Sequence, residues 1–334
     1  MISVYYSSDP REAVEALLDA QRAANAENSR NGSARPGAGV DPLAGLGRHS
    51  KVVIKPNLVV AKRQWIGADT RPEVVEAIVR RLQERGVIDI TVADGSGVGH
   101  SASRAFPMLG YDELARRYGL ELLDIEKDRF VTRSTLTGGP FRSLQISRTA
   151  AECDFLINVP VLKAHGETKL TCSLKNLKGL MPKEMKPRFH SVDLHRAIAQ
   201  LNSVVAADLI VVDGAYGDIN SEMGGSPVEM GIMAAGTDPL EIDIFAAKTL
   251  GFSPDQITHL RHYAGYRGVD LASFRPEVAE LNSPTLQTQF SADTDPFSRY
   301  PCGVSAERSC CTCRGNLVFA LKRLNERGEL SRNQ

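Results

Sequence analysis

Short apolar runs recur along this chain, separated by segments that carry helix start and stop signals. Ile2–Ser7, Lys51–Val60, Ile88–Ala93, Leu120–Ile125, Asp154–Val159, Leu209–Asp213 and Glu229–Ala235 are dominated by Val, Ile, Leu and Ala. Continuous apolar runs of this length predict strands buried on both faces. Helices are expected at Pro10–Ala26, Arg71–Arg85, Tyr111–Tyr118, Leu170–Lys178, Leu194–Val205, Pro239–Leu250, Pro254–Tyr263 and Leu317–Arg327. Asp9, Thr70 and Asp238 stand where N-caps belong, prolines follow them, and Gly86 and Gly179 stand where helices stop. Arg133–Ile146 reads as a hairpin on a sheet edge, and Asn28–Arg48 as a loop rich in Gly, Ser, Pro, Ala and Asn.

Strands alternating with helices predict an α/β fold, a mainly parallel sheet with helices on both faces. The strings ITVADGSGVG and LIVVDGAYG both end an apolar run in Asp-Gly, which allows two βαβ-type halves. An α/β domain is expected over 1–281. A linker, a Cys-rich metal-binding segment and a closing helix are expected over 282–334.

Polar residues follow the strands in a regular way. Lys55 and Asn57 come after VVI, Asp94 and Ser96 after TVA, Asn158 within the end of FLINV, and Asp213 after IVV. Carboxyl ends of parallel strands share one edge, and ligands bind in the crevice there. Any strand end must turn polar. Lys and His beside buried runs are harder to explain that way, because an ammonium is costly to bury.

Charge sharpens this picture. The chain is formally neutral, with 40 Lys and Arg against 40 Asp and Glu. Yet Pro160 to His190 holds seven Lys or Arg and two Glu, a local excess of five. Lys163 and His165 lie two apart, so an extended loop points them the same way. Lys175 and Lys178 share a helix face beside Asn176 and suit an anion such as a carboxylate or phosphate; a solvated basic face has the same spacing. His190, placed before a helix, and His195, at its start, are candidates for acid–base work or for backbone hydrogen bonding. Phe189 is the single aromatic from Pro160 to His195, too few for base stacking, so no nucleic-acid partner is expected. No apolar run approaches membrane length and the first residues carry no signal-peptide pattern, so no membrane partner and a cytoplasmic location are expected.

Cys302, Cys310, Cys311 and Cys313 crowd one segment without a CxxC pair. Their spacing suits one iron–sulfur cubane, [4Fe–4S], better than a tetrahedral zinc; zinc and inert or redox thiols remain the alternatives.

The strings LINVPVLKAHGETKLTCSLKNLKGLMP, FHSVDLHRAIAQLN, ADLIVVDG and AGTDPLEIDIFAAKTLGF, with VVIKPNLV and ITVADGSG upstream, resemble the family called domain of unknown function 362. The resemblance covers about residues 50 to 252 and implies an iron–sulfur protein. Family members often carry repeated CxxC spacing. This chain does not, which points to one cluster rather than a two-cluster relay. The Lys and His array also resembles, more faintly, that of lactate racemases with a nickel-pincer nucleotide.

The expectation is an iron–sulfur oxidoreductase or other cluster-dependent enzyme acting on a small anionic substrate. Lys163, His165 and His190 are the catalytic candidates. Lys55, Asn57, Asp94, Ser96, Lys175, Asn176, Lys178, His195 and Asp213 are the binding candidates, with Asp94 and Asp213 orienting the Lys or His. A ferredoxin or flavodoxin is the expected electron donor. The tail thiolates are expected to meet the cationic pocket. A non-catalytic iron–sulfur carrier, and a nucleotide or metal-cofactor enzyme with structural zinc, are the alternatives.

Overall fold

The structure, a computed structural model, describes residues 1–30, 41–59, 66–97, 100–220, 227–292, 297, 300, 304, 317–318, 320–321, 323–325 and 327–330. In chain order the elements are β1 (Ile2–Tyr6), α1 (Pro10–Arg30), β2 (Lys51–Pro56), α2 (Pro72–Glu84), β3 (Asp89–Asp94), α3 (Ala102–Leu109), α4 (Tyr111–Tyr118), β4 (Glu121–Asp124), β5 (Phe130–Ser134), β6 (Ser143–Ser147), α5 (Arg148–Ala151), β7 (Phe155–Val159), β8 (Lys163–His165), β9 (Lys169–Thr171), α6 (Ser173–Asn176), α7 (Met185–Val192), α8 (Leu194–Leu201), β10 (Leu209–Asp218), β11 (Pro227–Gly236), α9 (Pro239–Thr249), α10 (Thr258–Tyr266) and β12 (Val278–Glu280).

Eight strands form one sheet in the order β12-β1-β11-β10-β7-β2-β3-β4. It is mainly parallel; β11 alone runs against both its neighbours, β1 and β10. The strands alternate side chains between two cores. On one face Val52, Ile54, Val92 and Ile157 pack with Val74, Ile78 and Leu82 of α2 and Phe106 of α3. On the other, Val53, Leu156, Val212 and Ile232 pack with Leu174 of α6, Ile198 of α8, Ile244 of α9 and Leu260 of α10. The α/β architecture is therefore as expected, with helices on both faces.

Local differences have physical reasons. Residues 169–171 form a strand of the β8–β9 hairpin rather than the start of a helix, and Lys169 sits at φ 62° at its turn. The helix is confined to Ser173–Asn176, followed by a 3-10 turn to Leu180. Thr70 does not cap α2; Arg71 occupies that position, and the Thr70 hydroxyl is used elsewhere. Helix α3, which the sequence reading missed, buries Ala102, Ala105 and Phe106 despite an internal Pro107. The β5–β6 hairpin forms its own two-stranded sheet instead of extending the main one. Asp213 does not end its strand, because β10 continues to Asp218 against antiparallel β11, with a register shift between Gly214 and Tyr216.

From β2 the chain proceeds to β3 and β4 on one side, then returns to β7 and β10 on the other. The strand order thus reverses between β2 and β7, and the crevice at their carboxyl ends is the switch point where open α/β sheets place ligands.

Candidate functional site

Lys55 and Asn158 are register partners at that switch point. Lys55 is 1% exposed. Its Nζ lies 2.7 Å from Asp94 Oδ1 and donates to Pro56 O at 2.6 Å and Asn176 Oδ1 at 3.3 Å. Burial pulls the ammonium below the ordinary lysine value, and Asp94 opposes that pull. The other Asp94 oxygen accepts Leu58 N at 2.7 Å. Asn176 then joins the strands. It accepts from Asn57 Nδ2 at 3.0 Å and donates to Asn158 Oδ1 at 2.7 Å. Asn158 donates onward to Ser173 O at 3.1 Å. Lys55, Asn57, Asp94, Asn158 and Asn176 are thus one network. Asn57 Oδ1 and Ser96 Oγ are buried in this region without a hydrogen-bond partner among the described residues.

Close approach makes the network possible. A Cβ on Gly179 would stand 2.3 Å from Asp94 Oδ1 and 2.7 Å from Lys55 Nζ, and one on Gly95 would stand 2.7 Å from Gly179 O. Only residues without a side chain let the 3-10 turn lie on the ion pair.

The β8–β9 hairpin brings the second group. Lys163 is 0% exposed and its Nζ donates to Ala68 O. His165 Nδ1 accepts the backbone N–H of Glu167 and of Thr168, each at 3.0 Å. With Nδ1 engaged as an acceptor, the ring proton belongs on Nε2, which makes His165 a donor rather than a base. Lys175 Nζ donates to Thr171 Oγ1 at 3.1 Å.

His190 lies inside α7 rather than before a helix, because α7 and α8 meet at Asp193, whose side chain caps α8 through Arg196 N at 3.0 Å. Its Nε2 is 2.9 Å from Lys178 Nζ and its Nδ1 is 3.3 Å from Glu167 Oε2. Carboxylate, imidazole and ammonium form a line along which a proton can move. His195 of α8 is stacked on His259 of α10.

Asp213 belongs to a different contact from the one expected. Arg71 grips it with NH2 at 2.9 Å and Nε at 3.2 Å, and the Arg71 backbone N–H donates to Oδ2 at 3.0 Å. That bidentate pair fixes the start of α2 to β10 rather than orienting a Lys or His. Asp94, by contrast, does pair with a lysine.

Several residues escaped sequence reading. Lys186 is 3% exposed and its Nζ donates to Gly95 O at 2.9 Å and Ser96 O at 2.8 Å, clamping the loop after β3. Thr70 Oγ1 accepts Asn57 N and donates to Val159 O, both at 2.8 Å, so it ties the exits of β2 and β7. Asp243 of α9 accepts Ser173 N at 2.8 Å and Leu174 N at 3.2 Å, and burial raises its carboxyl to about 7. The basic excess near Lys186 was a signal for that residue; Thr70 carried a helix-cap signal only, and nothing local marks Asp243. Cys302, Cys310, Cys311 and Cys313, and the meeting of their thiolates with the pocket, lie outside the described residues. Among the described residues no group of three His, Cys, Asp or Glu is placed to hold a metal ion, and no helix is long and apolar enough to cross a membrane.

The family profile described as Domain of unknown function (DUF362) matches residues 52–248, the stretch that contains the network and the hairpin. A thylakoid-associated protein of Synechocystis is 29% identical over 259 residues, 73% of this chain and 76% of that protein. Among solved structures, a Thermotoga maritima structural-genomics target has a TM-score of 0.36 at 17% identity, covering 51% of this chain and 47% of its own. The lactate racemase apoprotein of Thermoanaerobacterium thermosaccharolyticum has a TM-score of 0.39 at 14% identity, covering 78% of this chain and 56% of its own. The chain thus spans about half the length of these two structures.

Proposed function

This chain belongs to the DUF362 family, and from that premise we propose that it is an enzyme whose small anionic substrate is held at the carboxyl ends of β2 and β7. One observation carries the reading: Lys55, Lys163, Lys175 and Lys186 are each at most 9% exposed, and they lie on β2 and on the 163–186 stretch whose Asn176 and Lys186 bond to the exits of β2 and β3. Asp94 answers Lys55, and the set as a whole still concentrates positive charge near one end of the sheet, a field that attracts an anion. The roles divide by how each group is already bound. Lys55, Lys163 and Lys186 donate to backbone carbonyls and build the frame. Lys175 is the anion-binding cation, His165 a donor through Nε2, and His190, between Glu167 and Lys178, the group that moves a proton.

We propose further that Cys302, Cys310, Cys311 and Cys313 bind one [4Fe–4S] cluster, with zinc as the alternative, on the strength of their number and spacing. A cluster would make the chain an oxidoreductase or other cluster-dependent enzyme, served by a small electron carrier such as a ferredoxin or flavodoxin.

Two measurements test these readings separately. Calorimetry should detect binding of acetate or inorganic phosphate to the full chain, weakened about tenfold or more by Lys175→Met, since a charge-assisted contact of this kind contributes about 1.5–3 kcal/mol. Unchanged binding in a folded variant removes Lys175 from the site. Anaerobic protein should contain about four irons and four sulfides per chain; zinc without sulfide replaces the cluster with the alternative.

A further inference from the structure

His259 is the most anomalous polar group among the described residues. It is 0% exposed, and neither ring nitrogen has a hydrogen-bond partner there. His195 lies alongside, with ring centroids 6.1 Å apart and planes 17° apart, and its Nδ1 is likewise buried without a partner. A neutral imidazole has one N–H to give and one lone pair to fill. Leaving both unmade in a dry interior is costly, and a phenylalanine would fill the same space without that cost. The atoms are therefore short of a partner that the described residues do not supply.

The local field says which kind of partner. Burial is the main reason that His259 is held neutral, with its pKa well below the ordinary value. The Lys175 ammonium acts on it in the same direction, and so would a proton on the imidazoles of His195, His165 or His262. Burial does the same to His195, where Glu167 and Asp193 oppose it and His262 and Arg261 add to it. The Lys175 ammonium disfavours a metal cation beside it and favours an oxyanion, to which a neutral imidazole N–H can donate. Helix α8, which carries His195, packs against both α6, which carries Lys175, and α10, which carries His259, so the histidine pair neighbours the Lys175 side of the site.

We propose that His259 and His195 are a second anchor of the same site, donating ring N–H groups to an anionic oxygen, so that the substrate carries two oxyanion groups. One group lies with Lys175 and the other with the histidine pair. The inference rests on the anion-binding reading above and narrows it to dianions such as dicarboxylates.

The test compares malonate and succinate with acetate by calorimetry on the full chain, at one pH and ionic strength. The wild type should bind one of the dianions at least about tenfold more tightly than acetate, the scale of one charge-assisted hydrogen bond. His259→Phe keeps ring volume and removes both nitrogens, and it should abolish that preference. His259→Asn keeps an N–H donor and should retain part of it. Lys175→Met should weaken all three anions. A preference that survives in folded His259→Phe overturns the second anchor while leaving the Lys175 site standing. Failure of the wild type to bind any of the three anions overturns the underlying reading instead. Should His259→Phe not fold, the ring-nitrogen resonances of His259 in the wild type decide: they should shift on adding the dianion, and unmoved signals refute the proposal.

Discussion

Lys51 and Lys55 stand on the same strand, one at each end, and the fold treats them in opposite ways. Lys51 is exposed, and its backbone N–H donates to Asp154 Oδ2 at 2.8 Å. Lys55 is 1% exposed and locked against Asp94. The contrast extends along both edges of the sheet. At the amino edge Asp89, Glu121, Asp154 and Asp208 are all exposed, and Asp208 serves the backbone by accepting Leu156 N at 2.8 Å. At the carboxyl edge Lys55, Asp94 and Asn158 are at most 2% exposed and linked side chain to side chain. Polarity at a strand end is therefore uninformative by itself. Burial and mutual hydrogen bonding separate a site from a boundary with water, because only the buried set must be compensated from within the protein.

The largest effect should come from breaking that compensation. Lys55→Met leaves Asp94 charged and buried, and should lower stability by about 3–5 kcal/mol in urea unfolding. Lys51→Met should change it by no more than about 0.5 kcal/mol. Adding Asp94→Asn to Lys55→Met should restore part of the loss, since the amide oxygen still accepts Leu58 N; equal effects of the two lysine changes would erase the distinction between the edges.

Glycine substitutions sharpen the contrast at the next scale. Gly179→Ala places a methyl 2.3 Å from Asp94 Oδ1 and should cost about 1–3 kcal/mol or more by melting. Gly265→Ala, in α10 with nothing within 4 Å, should instead stabilise by about 0.5–1 kcal/mol. A harmless Gly179→Ala would mean that the turn does not bear on the ion pair.

Asp243 gives a pH-dependent test. Its carboxyl rises in the folded state from 3.8 to about 7, so the native protein holds a proton that the unfolded chain releases. Its contribution is fully present below about pH 4 and is lost as pH rises towards and through about 7, with a slope of at most about 1.4 kcal/mol per pH unit. Asp243→Asn should remove this component, so that the difference in unfolding free energy between variant and wild type changes across that window. A constant difference would show that the carboxyl is not shifted.

Much of this was legible in the sequence, for identifiable reasons. The apolar runs gave the parallel strands because burial on both faces leaves little room for polar residues. The residues after them gave Lys55, Asn57, Asp94 and Asn158, since carboxyl ends converge on one edge. Direction is not legible: the apolar run Glu229–Ala235 does not say that its strand runs antiparallel, so the sequence pattern alone ends the preceding strand at Asp213. Partners across long separations were not legible either. Arg71 with Asp213, Asp243 with the start of α6, and Lys186 with the Gly95 carbonyl are set by tertiary packing, and no local pattern encodes them. His259 sits in a helix where one histidine looks like any other, and what distinguishes it is burial without a partner among the described residues.

The most direct measurement is a titration of isotope-labelled full-length protein with malonate, following backbone amides by NMR. The account predicts that the largest shifts cluster at the carboxyl edge, in Asn57–Val59, Asp94–Ser96 and Leu162–Asn176. Shifts centred on Lys51, Asp89 and Asp154, or none at all at millimolar malonate, would contradict it.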